Sequence, residues 1–216
     1  MNLRYTVLMM PAFLIGCASL PPLDGRTESR YLDTPSSPRL EASLKLAHKK
    51  QPADSDADTS DVYLLNDAHD AFVARAELID AADHTLDIQY YIWHNDISGK
   101  LLFNLVHRAA ERGVRVRLLL DDNNTDGLDN ILLALDSHPN IEIRLFNPFV
   151  SRRWRALGYL TDFPRLNRRM HNKSLTADNR ATIVGGRNIG DEYFKVGEDT
   201  VFADLDILAT GKVVTE

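Results

Sequence analysis

Between Leu86 and Phe146 the hydrophobic period of the chain switches from two to about 3.6 and back, twice, and few folds accept that pattern. Leu86, Ile88, Tyr90 and Ile92 alternate with Asp87, Gln89, Tyr91 and Trp93, as a strand with two different faces requires. A helical stretch follows from about Ser98 to Arg112 and stops at Gly113. Val114 to Leu120 is a second strand, merging into Leu118-Leu119-Leu120 as interior strands of parallel sheets do. Leu128 to Ser137 reads as another helix and Ile141 to Phe146 as a third strand. The order strand, helix, strand, helix, strand predicts an α/β fold with a mostly parallel sheet flanked by helices.

Weaker signals surround this core. Asn66 or Asp67 can cap a helix that runs to Ala82, with Phe72, Ala76 and Ile79 on one face. Asn147 to Asn167 breaks the rhythm with Pro148, Trp154, Gly158, Tyr159 and Pro164 among arginines, and reads as a loop with a short helix. A turn of helix is expected around Ile189 to Phe194, and a last strand from Phe202 to Thr210. Residues 18–60 are rich in Pro, Ser, Asp and Thr and read as a flexible tether, with room for a short helix from Arg39 to Lys49. Before them, an apolar run from Tyr5 to Ile15 is about half the length a membrane-spanning helix needs. The globular part is therefore expected over residues 61–216.

The chemistry concentrates in Arg168-Arg169-Met170-His171-Asn172-Lys173-Ser174-Leu175-Thr176-Ala177-Asp178, followed by Gly185-Gly186-Arg187-Asn188. A strand-turn-strand is the natural host, and if Met170 to Thr176 is extended, His171 and Lys173 point to the same face, about 7 Å apart along the backbone, and both address one phosphate. A neutral imidazole can attack phosphorus while an ammonium stabilises charge on the non-bridging oxygens, and that scheme calls for no metal and no cofactor. Asn188 can donate to the same oxygens, and the paired glycines allow close backbone approach. A net charge of -6 argues against a general nucleic-acid binder, yet from Arg144 to Arg180 nine Arg/Lys face only Asp162 and Asp178. That basic field suits anionic headgroups.

A bare His-x-Lys is common by chance; the whole string is far more specific. At His171, Lys173, Asp178, Gly185, Gly186 and Asn188 it resembles the HKD motif of the phospholipase D superfamily. The runs Leu86 to Trp93, Val114 to Asn124 and Arg165 to Lys173 look like bacterial cardiolipin synthases of the C type. That resemblance implies phosphatidyl transfer through a phosphohistidine at His171. Lys173 and Asn188 would bind the phosphate, and Asp178 would support the motif's geometry. The implied partners are phosphatidylglycerol, with phosphatidylethanolamine as a further candidate, and a membrane surface. Such enzymes carry two HKD lobes, one histidine acting as nucleophile and the other as general acid. This chain has one motif, so it is expected to be the N-terminal lobe, inactive until a second lobe joins it in cis or from another chain. A metal-independent homodimeric nuclease using His171 twice, or a non-catalytic half-domain, are the alternatives. Leu14-Ile15-Gly16-Cys17 is similar to a lipoprotein processing site. Residues 1–17 would then be the signal peptide and Cys17 the lipidated residue of a protein anchored in the cell envelope, facing the periplasm.

Two rival constellations are weaker. Asp122-Asn123-Asn124-Thr125-Asp126-Gly127 imitates a calcium loop but places Leu133 where a bidentate Glu is required. Asp121 and Asp122 at a strand's carboxyl end could hold magnesium, although a polar helix-capping loop explains them more simply. Of Gln89, Tyr91 and Trp93, which share a strand face, the sequence does not choose which lines the site.

Overall fold

The alternating stretch around Leu86 forms β2 (Thr85–Tyr90), which becomes the centre of the sheet. A computed structural model describes residues 20, 22–34, 36–48, 60–152, 154–197 and 202–215. Preceding β2 are α1 (Pro38–His48), β1 (Ser60–Leu65) and α2 (Ala68–Ala81). Asp67 caps α2 by accepting from the backbone N–H of His69 (2.8 Å) and Asp70 (3.3 Å). After β2 come α3 (Ile97–Glu111), β3 (Arg115–Asp121), α4 (Asp129–Asp136) and β4 (Ile141–Phe146). Gly113, at φ +94°, supplies the left-handed residue that ends α3.

Leu86, Ile88 and Tyr90 of β2 and Val116, Leu118 and Leu120 of β3 alternate inward. With Leu102, Phe103 and Val106 of α3 and Leu78 and Ile79 of α2 they form the buried core. Each such side chain taken out of water contributes roughly 1.5–3 kcal/mol, which is why period, more than any single residue, selects the fold.

The remaining elements correct the expected sheet. After α5 (Arg155–Thr161) and α6 (Phe163–Leu166), β5 (Lys173–Ala177) returns beside β2, followed by β6 (Ala181–Gly185), α7 (Asp191–Phe194) and β7 (Asp206–Gly211). The order is β1-β7-β6-β5-β2-β3-β4. Parallel pairing is confined to β2, β3 and β4; the pairs β2–β5, β5–β6, β6–β7 and β7–β1 are antiparallel. The expected strand-turn-strand is β5–β6, joined by a tight turn with Asp178 and Asn179 both at positive φ (51° and 53°). So short a connection permits only antiparallel strands. The last strand is also shorter than expected, since Leu205 O accepts from Gly186 N–H (3.0 Å) and residues 202–205 cross the end of β6 without pairing as a strand.

Residues 27–34 and 36–48, expected to belong to a flexible tether, lie along the lobe. Arg144 donates to Thr27 O (2.5 Å) and Arg115 to Arg30 O (2.6 Å), across the polar face of the sheet. Thr34 donates to Asp178 O (2.6 Å), and Leu40 of α1 is buried in the core. The expected signal at residues 1–17, with Cys17, lies outside the described residues. Among the described residues, no helix is long and apolar enough to cross a membrane.

Candidate active site

Antiparallel pairing with β2 sets Lys173 opposite Tyr90, at the sheet end where β2 and β3 finish. His171 lies two residues before β5 and is exposed, whereas Lys173 is buried. The expected convergence of the two side chains is present. Lys173 Nζ lies 3.1 Å from His171 Nδ1 and 3.4 Å from Nε2, and donates to His171 O at 3.0 Å. The strand face left open by the sequence now divides. Trp93 is core, stacked on Phe103 at 4.4 Å, and Gln89 accepts from Asn172 (2.9 Å). Tyr91 packs its ring 4.6 Å from the His171 imidazole, with Lys173 Nζ 5.4 Å from the same ring. Aromatic and cation contacts of this kind fix an exposed imidazole in one orientation.

The approach to His171 is anchored from β3. Asp121, fully buried, accepts from Met170 N–H (2.7 Å) and from the Arg169 guanidinium (3.0 Å). Asp122, equally buried, accepts from Phe149 N–H (2.7 Å), from the Thr125 hydroxyl (2.8 Å) and from Arg152. The carboxylates weighed as magnesium or calcium ligands are therefore engaged by amides and guanidinium groups, and hold the segment that leads into the histidine. Among the described residues, His94, Asp96 and Glu192 bring ligand-type atoms within 4.8 Å of one another. There Asp96 caps α3 through Gly99 N–H (2.8 Å) and also accepts from Asp191 N–H (2.7 Å), so the hydrogen-bonding of the fold accounts for its position.

Asp178 does not reach toward His171. It is fully buried at the far end of β5, where its carboxylate accepts from three consecutive amides: Asp83 (2.9 Å), His84 (2.8 Å) and Thr85 (2.7 Å). It thus ties the hairpin to the start of β2 and sets the register that carries Lys173 to Tyr90.

Asn188 is buried where the chain beyond β2 pairs with Ile189. Its carboxamide oxygen accepts from Ile92 N–H (3.0 Å), and its nitrogen donates to Tyr193 Oη (3.0 Å). One amide N–H is thus used by Tyr193, and burial of that phenol pushes its pKa up. Gly185 and Gly186 allow β7 to close in: a Cβ at Gly185 would lie 2.5 Å from Leu205 O, and one at Gly186 would meet the Asp204 carboxylate. Tyr193 and Asp204 carried no motif in the sequence.

Burial pushes the Lys173 pKa below the ordinary lysine value, and the nearby Asp204 carboxylate opposes that shift. A phosphate oxygen in the site stabilises the ammonium, so binding in the range between the depressed and ordinary values takes up a proton. Affinity for inorganic phosphate is therefore expected to fall with rising pH above about pH 8, where phosphate keeps one charge state, beginning below the range of an exposed lysine. Titration calorimetry checks this; Lys173→Met should bind more weakly and lose that pH dependence.

The family described as "Cardiolipin synthase, PLD-like domain" matches residues 76–207, which hold every residue of the motif. The chain belongs to that family. Cardiolipin synthase C of Escherichia coli is 63% identical over 72% of this chain and 33% of its own length. A cardiolipin synthase of Geobacillus thermodenitrificans is 29% identical over 83% of the chain and 34% of its own length. This PLD-like domain thus spans about a third of the length of the curated relatives it matches. Two solved structures share the fold alone. NucT from Helicobacter pylori has a TM-score of 0.51 at 15% identity, covering 70% of this chain and 85% of that one. The phosphatidylserine synthase of Haemophilus influenzae has a TM-score of 0.53 at 14% identity, covering 80% of this chain and 37% of that one.

Beneath the Gly185–Asn188 turn, the PLD-like domain buries a charge cluster. Asp206 accepts from Arg75 (2.9 Å), from Arg187 Nη1 (3.2 Å) and from Arg187 N–H (3.1 Å). Arg75 also donates to Tyr90 Oη (3.0 Å), whose pKa burial pushes up although the Arg75 charge opposes it. Arg187 ties the cluster to Leu65 O (2.8 Å) and Asn66 O (2.7 Å) at the end of β1. One carboxylate thus locks α2, β1, β2, β6 and β7 around the turn that carries Asn188.

Proposed function

We propose that this chain is the nucleophile-bearing N-terminal lobe of a phospholipase D-like phosphatidyltransferase of the cardiolipin synthase type. The observation that carries the reading is the convergence of Lys173 Nζ on His171 Nδ1 at 3.1 Å, in a domain 63% identical to cardiolipin synthase C of Escherichia coli. In the proposed reaction a ring nitrogen of His171 attacks the phosphorus of phosphatidylglycerol. The P–N bond forms as the P–O bond to the glycerol headgroup breaks, and the departing oxygen takes a proton from the histidine of a second lobe. The hydroxyl of another phosphatidylglycerol then attacks the phosphatidyl-histidine and returns its proton to that base. The P–N bond breaks and cardiolipin leaves; water in place of the lipid hydroxyl gives phosphatidic acid.

Within this scheme Lys173 holds the non-bridging oxygens, and its burial strengthens that contact because little water competes. The second N–H of Asn188 supports the same charge, while Tyr91 and Asp121 keep His171 in place. Phosphatidylethanolamine is a further candidate donor, and lipidation of Cys17 would hold the enzyme at a membrane, facing the periplasm. The general acid comes from a second HKD lobe, in cis or from another chain, so these 216 residues alone are expected to be inactive.

The test is to produce the two-lobed polypeptide carrying this domain in a host without its own cardiolipin synthesis and to analyse the extracted lipids. Cardiolipin is expected to accumulate. An unchanged lipid profile, or metal-independent cleavage of DNA by the chain alone, would overturn the reading.

A further inference from the structure

The connection between β4 and β5 is folded with its apolar side outward. No residue of α5 is buried. Trp154, Leu157, Leu160 and Phe163, each three residues from the next, are all exposed, Leu160 at 82% and Trp154 at 60%. Inward faces Gly158, where a Cβ would lie 2.9 Å from Leu166 and 3.2 Å from Phe149. Tyr159 fixes the helix by donating to Asn123 Oδ1 (2.8 Å) and packing on Phe149 at 5.4 Å. A core needs the reverse arrangement, so the outward leucines and aromatics form an exposed apolar face.

Charge identifies that occupant. Residues 147–170 contain six arginines against the single Asp162, in a chain whose net charge is -6. Asp121 and Asp122, which pair with Arg169, Arg152 and Arg155, lie fully buried beneath them; Asp129 also pairs with Arg152 and Asp162 with Arg165 at the surface, and Arg168 is exposed. An apolar stripe with a basic surround is the pattern of an element lying in the plane of an anionic bilayer. It is also continuous with the site, since Leu166 is five residues before His171 and Asp121 grips the intervening Arg169 and Met170.

We infer that the outer face of α5 and α6 is the surface by which this lobe docks on an anionic bilayer, inserting Trp154, Leu157, Leu160 and Phe163 and holding His171 at the headgroup layer. The inference rests on the phospholipid reading above and adds how the substrate is presented: the lipid stays in its leaflet while the enzyme sits on it.

The chain contains two tryptophans, and Trp93 is buried, so tryptophan quenching reports on Trp154. The 216-residue chain is mixed with phosphatidylglycerol vesicles whose acyl chains carry bromine. Because the readout is local to α5, attachment through the N-terminus does not produce it. Quenching with a blue shift is expected, and Leu157→Glu with Leu160→Glu should reduce it at least about tenfold in lipid concentration required while circular dichroism stays unchanged. Absence of quenching overturns the inference. A blue shift that appears without lipid and grows with protein concentration does so too, assigning the face to a second copy of the chain. Quenching without cardiolipin formation by the two-lobed protein would leave this surface standing and remove the phosphatidyl-transfer reading; cardiolipin formation with Trp154 unquenched would do the reverse.

Discussion

Replacing His171 by alanine in the two-lobed polypeptide is expected to lower phosphatidyl transfer by about 10⁴-fold or more, the scale on which enzymes lose rate when their nucleophile is removed. The side chain is exposed, and its polar contact is with Lys173. Its loss should therefore change stability by no more than about 0.5 kcal/mol, and the variant should unfold at an unchanged urea midpoint. Phosphate binding should persist, because Lys173 remains anchored to the backbone carbonyl of residue 171 at 3.0 Å. Turnover and binding are thereby separated. Rates from extracted lipids and affinities from calorimetry check the two halves; a variant retaining a tenth of the wild-type rate would remove His171 from the reaction.

The second large effect is on folding. Asp206→Ala should destabilise the domain by about 3–5 kcal/mol, the usual consequence of stripping the partner from a buried ion pair. Here the consequence is doubled, since Arg75 and Arg187 both lose their carboxylate while fully enclosed. Arg75 would keep the Ala71 carbonyl (2.8 Å), the Tyr90 hydroxyl and the face of the Phe194 ring, none of which carries the compensating charge. Asp206 also lies in register with Gly185, so partial unfolding should begin at β7 and release the turn that carries Asn188. Urea denaturation measures the first expectation and hydrogen exchange at β6 the second. A loss below about 1 kcal/mol would mean that water reaches this cluster.

What the sequence conveyed follows from where information is local. The strands β2, β3 and β4 and helices α2, α3 and α4 were legible because each buries one face, and burial writes itself as a period. Edge strand β1 was not: Val62 and Leu64 point outward and the preceding residues are acidic and polar. The antiparallel pairing of β5 with β2 was equally hidden, since that direction is set by how the chain returns past α5 and α6, whereas the β5–β6 hairpin was legible in the motif itself. The packing of residues 36–48 depends largely on Leu40, buried in the core, with Leu44 packed against it, too short an apolar stripe to set the segment apart from its polar surroundings.

The site divides in the same way. His171 and Lys173 are two residues apart, so backbone geometry alone brings them together. The amides that hold Asp178 come from residues 83–85, nearly a hundred positions earlier, and no local pattern announces them. Tyr91, one residue beyond β2, was on a face that alternation could identify but not orient. Tyr193 enters the site only because Asn188, committed to Ile92 N–H, also bonds its hydroxyl.

The central claim is that His171 forms the covalent bond to phosphorus. The most direct measurement is to react the two-lobed protein with phosphatidylglycerol, quench within a turnover under conditions that preserve phosphoramidates, and map the adduct by mass spectrometry. The account predicts a phosphatidyl group on the peptide containing His171, discharged when fresh phosphatidylglycerol is added. Turnover with the label on any other residue, or with no covalent adduct at all, would contradict it.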